Sequence, residues 1–283
     1  MVSSNNHYNN NQCVFTYKLL DWICPDKLDW WALSSNPKAI HLLENNSDKI
    51  IWAELSRNPN AMHLLVKNLS RVPMYELSSN PKAVHILQQN IDKIAWNTLC
   101  YNKSSGAMNL LEKNLDKIHW DPLSINPNAI NLLEKNPEKI NWNWLSLNPS
   151  AIHLLEANLD KIVWIHLSSN PNAIHLLEKN PDKMFWPNVS DNPNAIHLLE
   201  KNPDKIHWKK LSLNPNAIHL LEKNQNLICW EFLSYNPSIF EKKFSYKYLK
   251  ERMDVLREEL ITKCMHPTRL ERWIEMGGEI DDF

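Results

Sequence analysis

Seven histidines recur along this chain in the same company. His41, His63, His85, His153, His175, His197 and His219 each follow Ala and an apolar residue and precede a pair of aliphatic residues, and Asn109 and Asn131 take the two remaining places in the series. Imidazole can ligate a metal, act as a general base or carry a proton near neutral pH, so a regular row of it suggests a metal ladder, catalysis or a binding ridge. A shared metal fails on distance: Zn–N bonds are about 2.0–2.1 Å, whereas equivalent helices in a stack stand about 8–10 Å apart. Each histidine also lies opposite the apolar residues of its segment and beside Glu and Lys. The row therefore predicts an exposed polar ladder, bonded between repeats or to solvent, and its nine members form the candidate surface-binding ridge. Charged rungs would repel one another, which predicts loosening of the array below about pH 6.

The elements that must position this row are legible in a single unit, NPNAIHLLEKN at 170–180. Asn170 and Pro171 suit the N-cap and first turn of a helix. Ala173, Ile174, Leu176 and Leu177 fall on one face. Asn180 is expected to end the helix in a left-handed conformation, and Pro181 to block its continuation. A helix of about nine residues follows. The next stretch, typified by PDKMFWPNVSDN, places proline beside the tryptophan in several copies (Pro73, Pro122, Pro187). Proline inside a helix costs about 3 kcal/mol, so a single turn at PDK followed by a short helix over WxxLS is expected.

The unit repeats with a fixed period. Trp30, Trp52, Trp96, Trp120, Trp142, Trp164, Trp186, Trp208 and Trp230 recur at 22-residue steps, with Met74 in the third place and one step of 24 between Trp96 and Trp120. Two extra residues in YNKSSGAMNLL (101–111) account for the exception. A leucine-rich repeat shares this period, but the alternating strand residues it needs are missing here. The predicted fold is all-α: an α-solenoid of about ten short helix-pair repeats over 26–240. Residues 1–12 read as a flexible Asn-rich tail. An N-terminal cap occupies 13–25, with a helix over FTYKLLDWI (15–23), and a helical cap occupies 241–283, with helices over 246–263 and 266–276 closed by Gly277-Gly278. The tryptophans are assigned to packing between repeats rather than to a base-stacking platform, and the Asn-Pro asparagines to helix caps. Only three glycines serve so many turns, so Asn-Pro must punctuate the chain instead.

Composition narrows the function. With 31 basic and 32 acidic residues, no bulk field draws the chain to nucleic acid or anionic lipid. No apolar run spans a membrane, no signal peptide is expected, and the five scattered cysteines suggest reduced thiols. Phosphate loops, nucleophile elbows and paired catalytic carboxylates are missing, so neither an enzyme nor a cofactor or metal is expected.

The repeat LSxNPNAIHLLEKNPDKIxW resembles tandem repeats in largely uncharacterised proteins of giant amoeba-infecting DNA viruses, and the ending MHPTRLERWIEMGGEIDDF resembles the ending many of them carry. The resemblance covers about 26–283 and implies a viral protein acting in an infected host, in the cytoplasm or the virion. The copies at 101–111 and 68–75 depart from the pattern, suggesting a bend or a specialised patch. Together these features point to a non-catalytic scaffold for an unidentified protein partner. The alternative is modular binding of single-stranded nucleic acid, one nucleotide per repeat. It is disfavoured because variation peaks beside the Trp, at positions such as Phe185, His207 and Cys229, and no basic stripe accompanies it.

Overall fold

The structure is a computed structural model and describes residues 15–244, 246–264 and 266–275. The expected tail at 1–12 and the Gly277-Gly278 ending lie outside the described residues. The chain divides into two compact units, Leu19–Phe240 and the segments before and after it.

The repeat unit is an all-α solenoid. Ten short Trp helices, from Trp30–Ser35 to Trp230–Tyr235, alternate with nine His helices, from Ile40–Glu44 to Ile218–Lys223. A single 3-10 turn over the PDK segment precedes each Trp helix, as at Pro181–Lys183 before Trp186–Asp191. The turn-then-helix reading of this stretch holds.

The His helix is shorter than expected. Over 170–180 it runs only Ile174–Lys179, because Asn-Pro-x-Ala is consumed by a turn in which the Ala173 N–H donates to the Asn170 carbonyl at 3.2 Å. Asn180 does not enter the left-handed region: it has φ −134°, and its side-chain amide donates to the Leu176 carbonyl at 2.9 Å. A side-chain cap does the work assigned to backbone geometry. The same bond recurs from Asn46 to Asn224.

The core lies between the two rows of helices. Leu145 and Leu167 from Trp helices, Ala151 and Ala173 from the turns, and Leu155 and Leu177 from His helices are all fully buried. Each buried leucine contributes about 1.5–3 kcal/mol of transfer free energy, and no isolated 22-residue unit could bury both its faces. Half-buried tryptophans close the core edge at Trp96, Trp120, Trp142 and Trp164, and Met74 packs at the place where one is missing. A lysine or arginine of the next repeat covers several of the rings, such as Lys183 over Trp164 at 4.5 Å and Arg71 over Trp52 at 4.6 Å.

An open array must cap its two ends. This one joins them. Trp30–Ser35 packs against Trp230–Tyr235 as it does against Trp52–Arg57. The join repeats the internal bonds: the Asp29 N–H donates to Ser234 Oγ at 2.9 Å, and Lys27 lies over Trp230 at 4.9 Å. The repeat unit is a closed ring.

The expected N-terminal capping helix is instead a β-strand, β1 (Phe15–Leu19), paired with β2 (Phe240–Phe244). Half-buried Phe15, Tyr17 and Leu19 alternate with exposed Thr16 and Lys18, which suits a strand, and Phe15 meets Phe244 edge-on at 6.2 Å. The Leu20 N–H donates to the Ile239 carbonyl beyond the strands, at 2.9 Å. The last repeat consequently has no His helix. The two C-terminal helices are present, at Tyr246–Cys264 and Pro267–Glu275. Among the described residues no helix is long and apolar enough to cross a membrane.

Candidate interaction surface

The ring is organised by asparagines that do more than cap. Asn36, Asn58, Asn80, Asn102, Asn126, Asn148, Asn170, Asn192, Asn214 and Asn236 are all at most 1% exposed. In Asn148, Oδ1 accepts the Ser150 N–H at 2.9 Å, which is the local capping role expected. Its Nδ2 then donates both hydrogens to the preceding repeat, to the Ser124 carbonyl at 2.9 Å and the Asn126 carbonyl at 3.0 Å. A buried amide needs all of these partners to offset its desolvation. The pattern runs unbroken around the ring, and Asn36 closes it on the carbonyls of Ser234 and Asn236, at 3.0 and 3.2 Å.

A second row accompanies the first. Ser146 Oγ donates to the Trp142 carbonyl at 2.8 Å and accepts the Val163 N–H of the next repeat at 3.1 Å. Ser34, Ser78, Ser124, Ser168, Ser190 and Ser212 repeat both bonds. Ser56 faces Pro73, which has no N–H to give. Cys100 replaces the serine in the fourth repeat, and burial pushes its thiol pKa up. These serines, and Asn102 in the asparagine row, were not singled out from the sequence. The signal was there, because LS precedes the Asn by a fixed two residues in nearly every copy.

The histidine row is where the sequence placed it. His41, His63, His85, Asn109, Asn131, His153, His175, His197 and His219 are all exposed. The neighbour of an imidazole along the row is a carboxylate: His63, His153, His175, His197 and His219 Nε2 lie 2.8–3.1 Å from Glu44, Glu134, Glu156, Glu178 and Glu200. The repulsion expected on protonation is therefore not what the geometry provides, since a charged imidazole would meet a glutamate first. His85 has Val66 at the equivalent place in the preceding repeat, and His41 bonds within its own repeat, to the C-cap Asn45 at 3.4 Å. Among the described residues no three His, Cys, Asp or Glu side chains are grouped to hold a metal.

Which side of the ring each row faces follows from packing. Five of the ten successive Trp-helix pairs pack directly on one another, such as Trp30–Ser35 on Trp52–Arg57, and no successive pair of His helices packs as closely as these. In a closed ring the more tightly spaced course has the smaller radius, so the Trp helices form the inner course. At 100° per residue, the third and fourth residues after each Trp turn toward the core and the first, second and fifth turn away from it, although the second is buried at Ala32, Glu54 and Thr98. Those last three positions line the inner wall.

This wall is the variable surface. The first residue after the Trp position reads, repeat by repeat, Trp31, Ala53, Tyr75, Asn97, Asp121, Asn143, Ile165, Pro187, Lys209 and Glu231. Trp31, Tyr75 and Ile165 are each 51% exposed. Hydrogen bonds from Thr98 and Asn97 hold the Tyr75 phenol below its ordinary pKa, and burial raises those of Tyr101 and Tyr235. The wall holds five acidic residues (Glu54, Glu76, Asp121, Asp191, Glu231) and three basic ones (Arg57, Lys209, Lys210).

No family model, curated protein or solved structure matches the chain.

Proposed function

We propose that this chain is a non-catalytic repeat scaffold that holds a partner protein against the inner wall of its ring. One observation carries the reading: positions facing the interior differ from repeat to repeat, while the outward row repeats His or Asn throughout. Copies that differ along the enclosed wall offer an irregular ligand a matching irregular surface, which a row of identical residues does not. The acidic balance of the wall disfavours the nucleic-acid alternative, which needs cations along its path. The likeness of the repeat to those of giant-virus proteins supports a role in the infected host, in its cytoplasm or in the virion.

The test is affinity capture from infected cells with three forms of the protein. A wall variant (Tyr75→Ala, Trp144→Ala, Ile165→Ala) is expected to lose the partner, and a ridge variant (His153→Ala, His175→Ala, His197→Ala) to keep it. The opposite pattern assigns binding to the ridge. Tight binding of single-stranded RNA that weakens steeply between 50 and about 200 mM salt favours the alternative.

A further inference from the structure

The ring interior has a definite size and a divided lining. Ten helices spaced about 9 Å apart close a circle about 29 Å across between axes, leaving an opening of roughly 18 Å once helix width is subtracted. One α-helix with its side chains, about 10–12 Å wide, fits that opening, and two do not.

The eight formal charges of the wall are distributed unevenly. The fourth to seventh repeats contribute Asp121 alone, and the remaining six repeats contribute the other seven. In the sparsely charged arc, Tyr101, Pro122, Ile125, Trp144, Leu147 and Ile165 reach the surface, with Trp144 36% and Ile165 51% exposed. In the charged arc, Arg57 stands between Glu54 and Glu76, at 3.9 and 4.0 Å, and Lys210 is held by Asp191 at 3.1 Å. These pairs engage Glu54, Glu76 and Asp191 as well as the two cations, and the arc as a whole keeps four acidic residues against three basic ones, with Glu231 outside the pairs. Trp31 and Tyr75 stand exposed in the same arc, offering ring faces of the kind that attract Lys and Arg.

We infer that the opening binds a single amphipathic α-helix of the partner, its aliphatic face on the arc around Trp144 and Ile165 and its Lys/Arg face toward Glu76, Glu231, Trp31 and Tyr75. This rests on the scaffold reading above and names the partner's chemistry. An aliphatic stripe matches the sparsely charged arc by burial, a cationic stripe matches the acidic and aromatic arc by attraction, and the opening admits one helix with about 6–8 Å to spare, which extended Lys and Arg side chains can bridge.

The experiment uses the full chain and labelled 18-residue helical peptides, read by fluorescence anisotropy with stoichiometry from calorimetry. The probes are a Leu/Lys amphipathic helix, a Leu/Glu helix of the same pattern, and a scrambled Leu/Lys sequence. Expected is one Leu/Lys helix bound per chain, at least tenfold tighter than either control. The W144D/I165D variant should lose at least tenfold in affinity, and W144A/I165A a smaller factor, with circular dichroism reporting the fold of each. His175→Ala with His197→Ala should change affinity less than twofold. Equal binding of the Leu/Glu or scrambled peptide, more than one peptide per chain, wall variants within twofold of the parent, or no binding at 100 µM overturns the inference. If the peptides fail while capture still depends on the wall, only the helix is wrong; loss of wall-dependent capture removes both readings.

Discussion

At the scale of single residues, the buried asparagines decide most. Replacing Asn148 by Ala leaves the Ser124 and Asn126 carbonyls and the Ser150 N–H without their partner. Buried groups left unpaired cost about 1–3 kcal/mol each before relaxation, so a loss of about 2–4 kcal/mol is expected from urea denaturation. Asn148→Asp should be worse, because it turns a carboxylate oxygen toward two carbonyl oxygens in a dry site. A midpoint for Asn148→Ala equivalent to less than about 0.5 kcal/mol would show that water or a shift of the turn replaces the amide. His175→Ala offers the contrast. Its pair with Glu156 is exposed on both sides, and exposed pairs are worth well under about 1 kcal/mol, so a change within about 0.5 kcal/mol is expected. The sequence named both rows. Chemistry drew attention to the histidines, and burial, which the sequence does not print, gives the weight to the asparagines.

At the scale of elements, the irregular copy at 101–111 shows how the array absorbs an insertion. The His helix there lengthens to Ser105–Glu112, and Ser104 caps it by accepting the Ala107 N–H at 3.2 Å. Asn102 keeps its bonds to Ser78 and Asn80, and Asn126 reaches back to the carbonyls of Cys100 and Asn102. The extra residues are taken up in the added N-terminal turn of this helix and the ladder keeps step, so no interruption of the ladder marks this copy. Gly106 fits because a Cβ there would lie 2.8 Å from Val84 Cγ1. Ala is about 1 kcal/mol better than Gly within a helix, but overpacking costs about 1–3 kcal/mol, so Gly106→Ala is expected to destabilise. In a Val84→Ala background the same change should be neutral or stabilising. A double-mutant cycle with coupling below about 0.5 kcal/mol would dismiss the steric account.

At the scale of the whole repeat unit, closure gives the first repeat the same surroundings as the sixth. Asn36 donates to Ser234 and Asn236 as Asn148 does to Ser124 and Asn126. Asn36→Ala should therefore cost about as much as Asn148→Ala, within about 1 kcal/mol, by the same denaturation measurement. In an open array Asn36 would be a terminal residue without an acceptor, and its replacement would cost little. A near-neutral Asn36→Ala beside a damaging Asn148→Ala would rule the ring out. Unequal courses fit the same geometry, since the tenth repeat gives up its His helix where the chain enters and leaves.

The sequence by itself determined the period, the helix positions, the 3-10 turn before each Trp, the apolar faces and the outward histidines. All of these depend on contacts within about one repeat, and side-chain spacing reports such contacts directly. It misjudged β1, because a strand is worth forming only with a partner, and β2 lies at the far end of the chain. It also drew the solenoid as an extended array with its ends to cap. Only the tertiary structure decided that the ends meet. Ten equal repeats close when each turns by 360°/10, about 36°. That angle is the sum of many small packing adjustments between neighbouring helices, and no residue type or spacing encodes it. Closure in turn settled which helices face inward, and so placed the residues that follow the tryptophans on the wall of an enclosed opening, whereas the sequence drew attention to those that precede them, such as Phe185, His207 and Cys229.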